Sequence, residues 1–306
     1  MIPIVKGLVE GDRRSLARAI SIVDNQEAES RQIIKEIFGM TGKVKTVGFT
    51  GPGGAGKSSL VGRLIPECQA LGHKVAVLAV DPTSPITGGA ILGDRVRMLG
   101  NLEDEKVFMR SMASRGAIGG VSKSLRNAIR VLDAAGYDLI LVESVGAGQL
   151  EIEITKVVDL TVVIFTPNTG DNVQAIKAGL TEVGDIYVVN KADIDGAGPL
   201  YNTIVDLIGD TERKPSVLKT SAKTGKGVKE LAKVIDKLLS EKSNNKDRQR
   251  RMLEEELKGM VSDIVEQKVA VMLSENKKYS SIVDKLANKE IDPYIAAEQV
   301  AASLFK

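Results

Sequence analysis

Short apolar runs rich in β-branched residues recur at Val44–Thr50, Lys74–Val80, Val107–Ser111, Asp138–Val142, Leu160–Thr166, Asp185–Asn190 and Val217–Thr220, several of them followed by helix-like stretches. Continuous apolar strands alternating with helices predict a mainly parallel sheet covered by helices on both faces. Ligands of such sheets bind beyond the carboxyl ends of the strands. Residues 1–43 lack the alternation. There Leu16, Ile20, Ile22 and Val23 line one side of a helix expected from Arg13 to Val23, and a second helix is expected from Ala28 to Phe38. A polar break at Glu241–Lys246 follows the expected helix Gly227–Leu239. Beyond it Leu253, Leu257, Met260, Val261, Ile264, Val265, Val269 and Met272 recur mostly at steps of three and four, an apolar stripe along one long helix. Asp292 followed by Pro293 reads as an N-cap with proline at the first helical position, opening a last helix through Leu304. The pattern therefore divides the chain into a helical N-terminal extension (1–43), an α/β domain (44–240) and a helical C-terminal segment (241–306). The stripe fits packing on its own domain as well as pairing with a second copy.

Composition narrows the class. With 306 residues the chain exceeds the ~100–200 of a usual single domain, as a core with additions would. Its 42 basic and 40 acidic residues leave a formal charge of +2, and no single basic block is long enough to neutralise a run of phosphates, so nucleic acid is not an expected partner. The lone Cys68 cannot form an internal disulfide. Met1–Lys6 lacks the layout of a signal peptide, and no apolar run approaches the ~18 residues that span a bilayer. A soluble, cytoplasmic protein is expected.

The segment Gly51-Pro52-Gly53-Gly54-Ala55-Gly56-Lys57-Ser58 lies between an expected strand and an expected helix, the setting of a Walker A loop. In that motif the backbone N–H groups of Gly53, Gly54, Ala55 and Gly56, with Ser59 beyond, surround phosphate oxygens at a helix N-terminus. Lys57 reaches the β- and γ-phosphates and Ser58 ligates Mg²⁺. Gly51, Gly53 and Gly56 also satisfy a dinucleotide-binding fingerprint, with Asp81 about one βαβ unit later. Three carboxylates, Asp81, Asp94 and Glu143, fall at strand or loop ends. They could hold waters of a hard Mg²⁺ ion, although each alone would pass for a capping or solvated acid. Glu143-Ser144-Val145-Gly146 resembles the Asp-x-x-Gly switch of GTPases with Glu in place of Asp.

Asn190-Lys191-Ala192-Asp193 separates the two nucleotide readings. It matches the Asn-Lys-x-Asp guanine motif at the end of an expected strand. A carboxylate at Asp193 can accept both N1–H and the exocyclic amine of guanine, donors that adenine does not pair in this way, and unpaired buried groups make such sites selective. Ser221-Ala222-Lys223 resembles the loop whose alanine N–H meets the guanine oxygen. Together with the phosphate loop this favours GTP and GDP over NAD.

With these residues assembled, the chain resembles the methylmalonyl-CoA mutase-associated GTPases of the MeaB/ArgK type, within a group of P-loop NTPases that includes nickel-insertion proteins. The resemblance runs over nearly the whole chain and is most specific at Val80–Met98, Glu143–Gln149 and Gly170–Lys177. It implies two switches and a further loop communicating with a mutase, Asp81, Asp94 and Glu143 as the Mg²⁺ shell, and Arg97 as a γ-phosphate contact. It also implies homodimerisation through the C-terminal helices. The partner it implies is an adenosylcobalamin-dependent acyl-CoA mutase, whose cofactor loading or rescue the nucleotide state would gate; with no arginine finger identifiable in the sequence, slow intrinsic hydrolysis that a partner accelerates is expected. The third loop departs from the usual version at Asn172-Val173, where an acidic-aliphatic pair is common. By itself the stretch Pro167–Lys177 reads equally as an ordinary strand-to-helix connection. A small-molecule kinase would share the phosphate loop but needs a base for its acceptor. A nickel metallochaperone would want Cys and His in ligand spacing, and Cys68 and His73 read instead as a helix residue and a turn residue.

Overall fold

The computed structural model describes residues 1–81, 107–113, 120–144, 149–167, 180–209, 215–242, 246–275 and 277–304. These residues fall into two compact units, Met1–Asn245 and Lys246–Lys306.

The first unit is built on seven strands, β1 (Lys45–Thr50), β2 (Val75–Asp81), β3 (Phe108–Ala113), β4 (Leu139–Ser144), β5 (Leu160–Phe165), β6 (Ile186–Val189) and β7 (Ser216–Lys219). Their order is β3-β2-β4-β1-β5-β6-β7, and every pairing is parallel. All seven coincide with the apolar runs of the sequence. Residues of β2, β4, β5 and β6 are buried throughout, which is why these strands lack polar alternation.

Helices cover both faces. On one, α1 (Pro3–Val9), α2 (Arg13–Asp24), α3 (Ser30–Ile37) and α5 (Gly120–Ala134) contribute Leu8, Ile20, Ile33 and Leu132 to a core shared with Leu78 and Val142 of the sheet. The first 43 residues are therefore part of the sheet's packing. Their turns are fixed by side chains: Asp12 accepts from the N–H groups of Arg14 and Ser15 at 3.2 and 2.9 Å, and Asp133 on α5 accepts from those of Gly42 and Lys43 at 2.5 and 3.2 Å. On the other face α4 (Lys57–Ala70) and α9 (Val228–Lys242) pack Leu60, Leu64, Leu231 and Ile235 against Val47, Phe49 and Leu141. Each such side chain contributes ~1.5–3 kcal/mol on full burial. Shorter helices complete the unit, namely α6 (Gln149–Thr155), α7 (Leu180–Val183) and α8 (Ala197–Ile208).

The second unit holds α10 (Lys246–Glu275), α11 (Lys277–Ala287) and α12 (Pro293–Leu304). At the start of α12 the Asp292 carboxylate accepts from the N–H groups of Tyr294 and Ile295 at 2.8 and 3.0 Å. Leu253, Leu257, Met260, Val261 and Ile264 on α10 are exposed. Among the described residues no helix is long and apolar enough to cross a membrane.

Candidate functional site

The glycine-rich loop leaves β1 at Thr50 and becomes α4 at Lys57. Its first residue, Gly51, has φ +140°, and a Cβ there would lie 2.1 Å from the Ile164 carbonyl oxygen on β5. Only glycine can pass so close to the neighbouring strand. Gly56, with φ +84°, turns the chain into the helix beneath Asn190, whose amide nitrogen would lie 2.7 Å from an added Cβ. Gly53, Gly54 and Ser59 are exposed along the loop and first turn, whereas Ala55 is buried. The Lys57 ammonium is buried and donates to the carbonyls of Gly51 at 2.6 Å and Pro52 at 3.1 Å, so it lies folded along the loop.

One carboxylate meets this segment from the sheet, and a second stands on the neighbouring strand. Glu143, buried in β4, accepts a hydrogen bond from the Ser58 hydroxyl. Asp81, also buried, is the last residue of β2, and Ala79 on that strand pairs with Glu143. Thus a hydroxyl and two carboxylates stand at the carboxyl ends of adjacent strands, on the side of the sheet that α4 covers. Such an all-oxygen set suits a hard cation that retains waters. Asp94, Arg97 and Gly146 lie outside the described residues, as does all of Pro167–Lys177 beyond its first residue.

A second cluster lies at the ends of β6 and β7. Asn190 is buried and donates from its amide to the Ala55 carbonyl at 2.9 Å, 135 residues away in the chain. Its oxygen accepts from the Thr220 hydroxyl at 3.1 Å and the Ala222 N–H at 3.2 Å. One carboxamide thereby joins the glycine-rich loop to the Ser221–Lys223 loop. Asp193 accepts from the Ser221 hydroxyl at 2.6 Å. That bond, and after it the residue's own backbone N–H, hold the Asp193 carboxyl below the usual aspartate range, so it is an acceptor at neutral pH. Lys191 occupies the left-handed region at φ 55°, and Lys223 is exposed.

Several of these contacts have no sequence signal. The Asn190 bridge and the bond from Arg63 Nε on α4 to the Ala222 carbonyl, 3.0 Å long, depend on which loops the sheet brings together. Elsewhere, burial pushes the Cys68 thiol up to about 12, which leaves it unreactive. The two nitrogens of His73 lie 3.1 Å from Asp138 and 2.9 Å from Asp236.

Comparison with known proteins adds an independent line. Residues 16–276 match the family described as methylmalonyl Co-A mutase-associated GTPase MeaB. A Pyrococcus horikoshii protein whose name assigns it to the GTPases is 46% identical over 308 residues, covering 97% of this chain and 96% of the relative. The GTPase ArgK of Escherichia coli is 37% identical over 239 residues, 74% of this chain and 72% of its own. Among solved structures, one titled a LAO/AO transport system kinase superposes with a TM-score of 0.70 at 27% identity, covering 99% of this chain and 97% of that one.

Proposed function

Because the chain belongs to the MeaB family of methylmalonyl-CoA mutase-associated GTPases, we propose that its GTP site is the pair of clusters joined by Asn190, and that hydrolysis there serves an acyl-CoA mutase. The carrying observation is that single carboxamide. It ties a loop suited to phosphates to the Ser221–Lys223 loop, whose Ser221 hydroxyl donates to the Asp193 carboxylate, a group suited to the guanine edge.

In this reading the loop N–H groups and the start of α4 receive the phosphate chain. Lys57 exchanges the carbonyls of Gly51 and Pro52 for phosphate oxygens, where its charge offsets that developing in the transition state. Ser58, Glu143 and Asp81 fit Mg²⁺ by their chemistry and by the contact already made between the first two. When bound, the ion would neutralise charge on the β- and γ-phosphates. Asp94, Arg97 and Gly146 are proposed to join from the switch segments, with Asp193, Lys191 and Ala222 reading the base.

The family name supports a mutase as the partner, which we take to be adenosylcobalamin-dependent. The nucleotide state would gate cofactor loading or rescue of inactivated enzyme. We further propose a cytoplasmic homodimer, for which the exposed apolar stripe of α10 is the supporting feature. The loop Pro167–Lys177 would carry the signal to the mutase. The test combines the purified protein with the acyl-CoA mutase of its own cells and follows phosphate release from GTP and ATP. GTP should be preferred by orders of magnitude, and the mutase should accelerate its hydrolysis. Equal use of ATP would remove the guanine assignment, and a rate indifferent to the mutase would remove the partner.

A further inference from the structure

Ser111 on β3 presents a chemical anomaly close to the proposed cation site. The residue is 6% exposed, and its buried hydroxyl has no hydrogen-bond partner among the described residues. A buried hydroxyl left unpaired costs about 1–3 kcal/mol, and alanine in its place would avoid that cost.

Strand register shows what the hydroxyl stands near. Side chains alternate along β3: Phe108 and Met112 enter the core under α2 and α5, whereas Met109 packs with the cluster under α4 and α9. Ser111 therefore shares the α4 side with Met109. On β2 the same alternation puts Val75 and Val77 on the α4 side, followed by Ala79 and Asp81. Ser111 pairs with Ala79, and Asp81 pairs with Ala113. Both direct cross-strand neighbours are methyl groups, so the diagonal from Ser111 to Asp81 carries no bulky side chain. Beyond Ala79 on the same row stands Glu143, which meets Ser58.

We propose that Ser111 is a positioning residue of the cation site, its hydroxyl donating to the Asp81 carboxylate when nucleotide and Mg²⁺ are bound. The proposal rests on the reading of Asp81 as part of the Mg²⁺ shell. Its physical content is that of any group behind a metal-side carboxylate: it fixes the orientation of that carboxylate without touching the ion, and removing it typically lowers metal affinity 10–100-fold.

The experiment measures release of a fluorescent GDP analogue from the full-length protein at graded Mg²⁺ concentrations, together with thermal unfolding with and without Mg²⁺-GDP. In the wild type Mg²⁺ should slow release, and Asp81→Asn should abolish that effect. Ser111→Ala should need about tenfold more Mg²⁺ for the same retention. The same variant should match or exceed the wild type in Tm without ligand, because an unpaired hydroxyl has gone, yet gain less from Mg²⁺-GDP. Ser111→Thr keeps the hydroxyl and should keep the wild-type requirement. If wild type and Asp81→Asn behave as stated but Ser111→Ala shows the wild-type Mg²⁺ requirement and equal Tm shifts in both states, the hydroxyl is a packing defect and the inference fails alone. If Mg²⁺ leaves release from the wild type unchanged, the cation reading fails and takes the inference with it.

Discussion

Asp193 meets Ser221 at the rim of the molecule, so its charge state comes from hydrogen bonding rather than from burial. Because its carboxyl lies below the usual aspartate range, guanine preference should persist unchanged as pH falls from neutrality to about 5. It should be lost only as pH drops through the depressed value. Asp193→Asn replaces an acceptor with an amide that presents a donor where guanine also donates, while xanthine offers an oxygen. Competition binding should show preference moving from GTP toward XTP, and an unchanged guanine preference would remove Asp193 from the base site. Gly51 makes a different kind of demand. Gly51→Ala combines an unfavourable φ of +140° with a methyl 2.1 Å from the Ile164 carbonyl oxygen. A loss of at least ~3 kcal/mol is expected in urea unfolding, with nucleotide binding weakened alongside because β1 and its loop must shift. A variant as stable as the wild type would show that the approach to β5 relaxes freely.

At the level of elements, strands were easier to read than short helices. Strands β2, β4, β5 and β6 are buried throughout because both faces are covered, and the nearly continuous apolar runs that result are a local property of sequence, whereas the edge strand β7 holds no fully buried residue. Helix α1 carries no periodic signal, because seven residues with Val5 and Leu8 buried make barely two turns, too few for a period to emerge. Its packing beside α2 and α3 on the sheet is a tertiary fact. In the candidate site, Lys57, Ser58, Asn190 and Asp193 stand out because their spacing is local, whereas the contact of Arg63 and the role proposed for Ser111 depend on loop contact and register, which spacing does not encode. The cap of α12 was legible, since Asp-Pro is a local signal. Asp292→Ala removes an acceptor for two N–H groups. It should lower stability of the C-terminal unit by about 1 kcal/mol, measured by hydrogen exchange in Pro293–Leu304, with GTP hydrolysis unaffected. Unaltered exchange there would mean that packing, not the cap, sets the helix start.

For the molecule as a whole, the α10 stripe bears on assembly. Leu257 is 63% exposed and Ile264 47% exposed, two turns apart on the same helical side. Paired substitution Leu257→Glu and Ile264→Glu should convert the proposed dimer to a monomer by sedimentation, with basal hydrolysis retained. A wild type that sediments as a monomer at micromolar concentration would end the dimer reading. The strand order has its own consequence during synthesis. Strand β1, which leads into the glycine-rich loop, sits between β4 and β5, and these begin at Leu139 and Leu160. At ~5–20 residues per second, a ribosome needs on the order of ten seconds to pass from β1 to the end of β5. Throughout that interval β1 has no strand to pair with on one side or the other, and Gly51 lacks the carbonyl it must lie against. Nascent chains arrested before β5 should therefore remain protease-sensitive at Lys45–Lys57, and protection should arrive in one step once β5 has emerged from the exit tunnel. The glycine-rich loop is among the first parts of the domain to be made and among the last to be shaped.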